Sequence, residues 1–311
     1  MSRPKMRAAA IDAFGPPETL HVQELPRPEA SGDRVLVRVV SAGVQPTDAA
    51  IRGGWTPPGA TITFPQILGN EFSGVVTGVG PNVTGFAVGD AVLGFNVLGC
   101  YAEYVAVPET QLVHTPPEVA WEAAGALSAS GQTAHTALEE LSVAEGETVV
   151  VHGAAGGVGS MFTQLALLRG ATVVGTASPD NHEYLRGLGA VPVGYGDGQA
   201  DRIRAAAEGP IDAVLDTAGH ENLRTAVGLT EDRTRTATIV DMGLATELGC
   251  RIVRSQRSTE RLAELVRLVA AGRLNVHIRR VYTLDEVAEA HRDVETGHGR
   301  GKVVLTIGEP R

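Results

Sequence analysis

TVVVHGAAGGVG, residues 148–159, opens as a strand and closes as a turn. Thr148 and Val149 to Val151 are β-branched and read as a strand buried on both faces. The chain then passes Gly153, Ala154, Ala155, Gly156, Gly157, Val158 and Gly159 into MFTQLALLRG, where apolar residues recur at helical spacing. Strand, glycine turn and helix in that order begin a dinucleotide-binding unit. Glycine is needed there because a side chain would hold the backbone away from a pyrophosphate seated on the free N–H groups of the helix N-terminus. The spacing departs from a strict G-x-G-x-x-G: Ala154 stands where the first glycine would be, with Gly153 just before it. Glycines also punctuate ordinary turns, so the flanking strand and helix carry this reading.

Working outward, a chain of 311 residues is long enough for two domains. Hydrophobic residues at 43% and charged residues at 20% fit a soluble globular protein. A formal net charge of -10 speaks against a nucleic-acid groove, and no Lys/Arg run suggests a membrane surface. The opening MSRPKMRAAAIDAFG lacks an apolar core of signal-peptide length, and no stretch is apolar enough to span a bilayer. Cys100 and Cys250 are too far apart in the chain to suggest a disulfide framework. A cytoplasmic protein is expected.

Residues 1 to about 115 are β-rich, with short valine-rich segments such as RVLVRVVSAG and EFSGVVTGVG between Gly/Pro/Asp turns. Such spacing suggests a small barrel or sandwich. A long loop, QPTDAAIRGGWTPPGATITFPQILGNE, carries Trp55 and Phe64; loops of this length inside compact domains are often functional. From Trp121 the texture changes. WEAAGALSASGQTAHTALEEL is helical in composition, and after the glycine turn ATVVGTAS, AVPVGY, IDAVLDTAG, TATIVDMG and CRIV are the further strands of a parallel doubly wound sheet. The tail holds two amphipathic helices and a closing strand, GKVVLTI.

SAGVQPTDAAIRGG, LGNEFSGVVTGVG, GAAGGVG and AHRDVETGHGRGKVVL together resemble the medium-chain dehydrogenase/reductase superfamily, in its zinc-independent quinone oxidoreductase (zeta-crystallin-like) branch. The resemblance spans nearly the whole chain. It implies an α/β fold: a GroES-like β-barrel domain from residues 1–118 and 256–311, and a Rossmann doubly wound parallel sheet from residues 119–255. It also implies a cleft at their junction for nicotinamide and substrate.

Zinc-dependent relatives carry a cysteine after the SAGV-type segment and a histidine in a G-H-E motif. Here those positions hold Gln45 and Asn70, whose amides are not the thiolate or imidazole that zinc selects. Cys100 has no His or Cys partner in its segment, so no metal is expected. The second strand of the Rossmann unit ends at Thr176, Ala177 and Ser178 with no acid at its tip. An acid there would repel a 2′-phosphate, so NADPH is the expected cofactor. The resemblance places Ser178, Asn181 and Tyr195 at that phosphate, Thr133 beside the nicotinamide, and Met242-Gly243 in a turn near its carboxamide. Two alternatives stand: Asp180 in the same loop would favour NAD, and Ser178-Pro179-Asp180 is equally a helix-initiating turn.

With no metal and no evident acid–base pair, the hydride comes from the nicotinamide, while the protein orients it and stabilises developing negative charge. For a quinone or α,β-unsaturated ketone that charge gathers on oxygen. Gln45 offers an amide donor where the family usually has Asn, with Thr47 and Asn70 as neighbours. Asp48 is divided between a catalytic-cleft role and holding loop backbone. Glu71 is read as support for the fold. Trp55, Phe64, Phe95 and Asn96 are candidate pocket residues, and Lys302 reaches either the cofactor or solvent, with solvent favoured. The expected partner is a small-molecule quinone or enone. An enoyl-thioester or polyketide-tailoring enoyl reductase, and a non-catalytic NADPH-binding protein, are the alternatives. The strand near Cys250–Val253 would leave a sheet edge open; family members pair there, so a homodimer is expected.

Overall fold

The computed structural model describes residues 4–309. It divides into two compact units: residues up to Ala129 together with those from Arg257 onward, and the stretch Ser130–Gln256 between them. The first division thus falls about a dozen residues beyond the sequence-based boundary, inside the helix Ser128–Glu140.

The first unit is β-rich, as its turn-punctuated valine segments predict. Its seven-stranded sheet runs Ile278–Thr283, Lys302–Thr306, Arg34–Val44, Glu71–Val79, Ala91–Phe95 and Leu112–His114, with Tyr104–Pro108 pairing against Arg34–Val44 off that path. A three-stranded sheet places Lys5–Ile11 between Leu20–Pro26 and Gln66–Ile67. Arg34–Val44 is the hub: it pairs antiparallel with Glu71–Val79, Tyr104–Pro108 and Lys302–Thr306. The register with Glu71–Val79 shifts twice, between Leu36 and Val37 and between Val39 and Ser41. Irregularities of this kind bend a strand and let a sheet close round on itself. Val35, Val37, Val39, Phe72, Val92, Tyr101 and Val303 fill the interior.

In the second unit six parallel strands lie in the order Val191–Gly194, Thr172–Ala177, Thr148–His152, Ala213–Asp216, Thr236–Thr238, Arg251–Ile252. Numbered along the chain from Thr148–His152, that is 3-2-1-4-5-6, the Rossmann order. The sheet reverses direction of growth beside Thr148–His152, so the glycine turn leaves the carboxyl end of the strand at the switch point, where open α/β sheets bind ligands. The VVV run is buried on both faces, as its unbroken apolar composition predicts.

One expectation is refined and two are corrected. The run from Trp121 to Glu140 is two helices, Trp121–Gly125 and Ser128–Glu140. At Gly125 a side chain would meet the Ser41 backbone carbonyl oxygen at 2.8 Å, so the first helix ends packed tightly against the sheet. TATIVDMG pairs only over Thr236–Thr238; Met242 and Gly243 are not a turn but the first residues of the helix Met242–Leu248, capped by Asp241, whose Oδ1 accepts from the Leu244 N–H at 3.0 Å. A side-chain cap of that kind starts a helix wherever the preceding strand lets go.

Candidate functional site

Two clusters gather the predicted residues, one in each unit. In the first, Gln45 follows the strand Arg34–Val44 and caps the short helix Pro46–Arg52. Its side chain accepts from the Asp48 N–H, while its own backbone N–H donates to Asp48 Oδ2 at 2.9 Å, a reciprocal cap. Asp48 is fully buried. Its Oδ2 also accepts the Tyr101 hydroxyl at 2.7 Å, and its Oδ1 accepts Asn70 Nδ2 at 3.1 Å. Burial pushes its carboxyl up to about 6, against the opposing pull of the Tyr101 hydrogen bond. The Tyr101 phenol, fully buried and beside Asp48, is raised well above its ordinary value.

Glu71, also fully buried, is the second anchor. Oε1 accepts the Lys302 ammonium at 3.0 Å and the Gln45 side-chain amide, and Oε2 accepts the Ala129 N–H at 2.6 Å. The strand residue Gly43 makes room for it, since a Cβ there would lie 2.1 Å from Glu71 Oε1. Gly69, just before Asn70, has φ +88°, and a Cβ on it would meet the Tyr101 ring at 2.3 Å. Only glycine serves both demands.

The structure therefore brings Gln45, Asp48 and Asn70 into one network, with Asn96 attached through its N–H to the Asn70 carbonyl at 3.1 Å. Phe95 is buried beside them. Asp48 accepts loop backbone and two side chains at once. Thr47, Trp55 and Phe64 are exposed; Phe64 packs edge-on against Phe14 with ring centroids 5.2 Å apart. Lys302 is corrected: it is 3% exposed and ion-paired, because the strand Lys302–Thr306 lies beside Arg34–Val44 and turns it toward Glu71. Tyr101 and Arg257 are the members that sequence reasoning missed. Arg257 Nη1 donates to the carbonyls of Asn70 at 2.9 Å and Asn96 at 3.3 Å, and Nη2 to Asn70 Oδ1 at 3.0 Å. No local pattern in SQRSTE marks it; it becomes visible only when the chain folds back. Cys100 is fully buried, and burial raises its thiol well above its ordinary value, so it stays protonated.

The second cluster is the glycine turn. Gly153 has φ +74°, and a Cβ there would meet Thr217 Oγ1 at 2.7 Å. The Gly153 N–H donates to Thr176 Oγ1 at 3.3 Å, and the Ala154 N–H to the Thr176 carbonyl at 3.0 Å. Thr176 is buried and ties the turn down from the neighbouring strand. A Cβ on Gly159 would lie 2.2 Å from the Gly153 carbonyl oxygen, so the helix starts hard against the strand end. The helix Gly157–Leu168 has Gly156 as its N-cap and no side-chain cap. Its first-turn N–H groups therefore carry the helix's positive end without a side chain in the way. Gly156, Gly157 and Val158 are partly exposed; Ala154 and Ala155 are buried beneath them.

At the tip of Thr172–Ala177, Asn181 Nδ2 donates to Ser178 Oγ at 2.9 Å, and both are half-buried. Tyr195 is 53% exposed in a loop that Arg202 knits together, its guanidinium donating to the carbonyls of Gly194, Tyr195, Gly196 and Asp197 at 2.6–3.3 Å. Thr133 is half-buried on the helix Ser128–Glu140, and Met242 and Gly243 are exposed.

A GroES-like unit and a Rossmann unit on one chain define a dehydrogenase/reductase architecture. Residues 31–117 match the model of the alcohol dehydrogenase GroES-like domain, and residues 188–305 that of the zinc-binding dehydrogenase domain. The quinone oxidoreductase of Lama guanicoe is 30% identical over 97% of this chain and 98% of its own. The solved quinone oxidoreductase of Coxiella burnetii is 31% identical with a TM-score of 0.88, covering 98% of this chain and 100% of that one. A solved NAD-dependent alcohol dehydrogenase is also 31% identical, with a TM-score of 0.87 over 97% of this chain and 100% of that one. The chain belongs to the medium-chain dehydrogenase/reductase superfamily, in its quinone oxidoreductase branch, and is an oxidoreductase.

Proposed function

We propose that the protein is an NADPH-dependent, zinc-independent reductase that transfers hydride to a quinone or an α,β-unsaturated ketone. The observation that carries the reading is the uncapped glycine turn at the switch point, combined with a neighbouring strand tip that ends in Ser178 and Asn181. The turn fits a dinucleotide: the helix that follows it has no side-chain cap on its first-turn N–H groups, and Gly153 and Gly159 tolerate no side chain. Ser178, Asn181 and the Tyr195 hydroxyl would hold a 2′-phosphate with neutral donors. Asp180 in the same loop, and the equal likeness to an NAD-dependent enzyme, argue for NADH, so the choice between cofactors rests on those neutral groups.

Zinc does not fit the donor set. Gln45 and Asn70 occupy the positions of its ligands in metal-dependent relatives, and both spend amide N–H groups on Glu71 and Asp48. Amide nitrogens that donate are not ligands. When bound, NADPH supplies the hydride. The chain's own part is electrostatic: each amide NH2 has a second N–H beyond the one spent on a carboxylate, available to an oxygen that gains negative charge. Asp48, sealed beneath Tyr101, aims the Asn70 amide rather than moving protons, and solvent supplies the proton for carbon.

No helix among the described residues is long and apolar enough to cross a membrane, and we read the protein as cytoplasmic. The two-residue edge strand Arg251–Ile252 leaves backbone groups unpaired on one side, which supports a homodimer; gel filtration at the monomer position would overturn that. The central test is loss of NADPH absorbance with benzoquinone, naphthoquinone, cyclohexenone and crotonyl-CoA. Turnover of the quinones or the enone is expected, with NADPH favoured over NADH. Turnover of the thioester alone would make the protein an enoyl-thioester reductase. Tight NADPH binding with no turnover anywhere would make it a binding protein.

A further inference from the structure

Arg257 is the one cation of the first cluster that makes no direct ion pair among the described residues, although the charges of Glu71 and Asp48 favour its charged form and its guanidinium lies 5.9 Å from the Phe95 ring centroid. The guanidinium donates to two backbone carbonyls and one amide oxygen, and no carboxylate lies within ion-pair distance of it among the described residues. Three of its five N–H groups are thereby spent; the Nε–H and one Nη2–H have no acceptor among the described residues. Burial lowers its pKa, yet arginine stays charged at any working pH. A half-buried cation with no carboxylate in contact is costly to keep. Elsewhere in the same unit the buried cations are neutralised: Lys302 by Glu71 at 3.0 Å, Arg52 by Glu295. Arg257 is the exception. It lies against Asn70, at the position where metal-dependent relatives carry a zinc ligand, and one face of its fork is oriented by the Asn70 and Asn96 carbonyls.

We infer that Arg257 is a catalytic residue: its open N–H groups bind the substrate oxygen that becomes an enolate or phenolate, supplying the positive charge that a metal supplies in zinc-dependent relatives. The assignment rests on the reductase reading above. As hydride reaches the electrophilic carbon of the quinone or enone, the displaced π pair moves onto that oxygen. Water then delivers one proton: the quinone product takes it on oxygen and rearomatises to the hydroquinone, and the enolate takes it on the α-carbon to give the saturated ketone. NADPH is the reductant, and the guanidinium keeps its own protons throughout. A fixed cation in a half-buried site stabilises such charge without reorganising.

The experiment compares Arg257→Met and Arg257→Lys with the parent in two readouts. The first is steady-state reduction of benzoquinone and cyclohexenone. Arg257→Met is expected to lower kcat about 100-fold, the usual consequence of losing one oxyanion donor, with a much smaller change in KM. Arg257→Lys, which keeps the charge but not the fork, recovers part of it. The second readout needs no turnover. With NADP+ present, 4-nitrophenol is bound and its ionisation followed by absorbance; the parent is expected to prefer the phenolate over the phenol by about tenfold or more. Arg257→Met abolishes that preference, and Arg257→Lys retains some of it. If Arg257→Met does not fold, as judged by circular dichroism, Arg257→Lys and the parent carry the test. Equal damage from Met and Lys, with an unchanged phenolate preference, would overturn the inference and leave Arg257 a staple for Asn70. A parent that reduces nothing, yet prefers phenolate only while Arg257 is present, would overturn the reductase reading and leave this anion site standing.

Discussion

Around Asp48 the first unit satisfies its buried polar atoms with side chains from four distant segments, whereas around Gly153 the second unit strips side chains away and works with backbone. The contrast sets how each region fails. A network of carboxylates, amides and an ammonium fails when a member is removed, because the remainder is left buried and unpaired. A bare turn fails when atoms are added, because carbonyls already stand where a Cβ would go.

The largest expected effect is the removal of Glu71. Glu71→Ala leaves the Lys302 ammonium buried without its partner and should cost about 3–5 kcal/mol in urea unfolding. The double variant with Lys302→Met should recover most of that. A single-variant loss under about 1 kcal/mol would mean that the pair holds nothing.

Next comes addition on the other side. Gly159→Ala places a Cβ 2.2 Å from the Gly153 carbonyl oxygen, so the turn must shift. A stability loss of about 1–3 kcal/mol is expected, with at least about a tenfold fall in NADPH affinity by fluorescence titration. Retention of parental affinity would break the backbone-built reading.

The side-chain unit should also answer to pH. Burial and the neighbouring Arg52 hold His291 down to about 3, below the ordinary 6.5. Between those values the unfolded chain binds the extra proton, so the contribution is full above about pH 6.5 and is lost as pH falls toward 3. Asp48, raised from 3.8 to about 6, works in reverse: its share is present below 3.8 and lost as pH rises through 6. His291 Nδ1 accepts from Arg52 Nη1 at 3.1 Å, and His291→Gln keeps an acceptor there without a titrating ring. Urea midpoints between about pH 7 and pH 4 should fall less steeply for the variant; parallel profiles would remove His291 from the account.

The smallest effect is at the strand tip. Ser178→Asp sets a negative charge where a 2′-phosphate is proposed and should raise the NADPH dissociation constant about tenfold, near 1.4 kcal/mol, with little change for NADH. Equal loss for both cofactors would turn Ser178–Asn181 back into a helix-initiating turn.

The second unit was legible because its signals are local. A β-branched run, four glycines and a periodic helix lie within about twenty residues, and each acts through its own backbone. The first unit was legible only in part. QPTD and LGNE announce polar residues in a β-rich domain, and four of them, Gln45, Asp48, Asn70 and Glu71, do converge. That Lys302 turns inward, that Tyr101 closes over Asp48, and that Arg257 grips Asn70 across 187 positions of chain depend on strand register. Thr47 sits beside Asp48 on the helix Pro46–Arg52 yet ends outside, because that helix presents only one side to the core.

By itself the amino-acid sequence determined two units, the Rossmann turn with its strand and helix, and amides where relatives carry zinc ligands. Periodicity and glycine placement act over a few residues and need no distant partner. Tertiary structure alone decided which polar side chains are neutralised and which, like Arg257, keep their charge. Ion pairing depends on separations of a few ångströms, and those separations exist only once segments far apart in the chain have met.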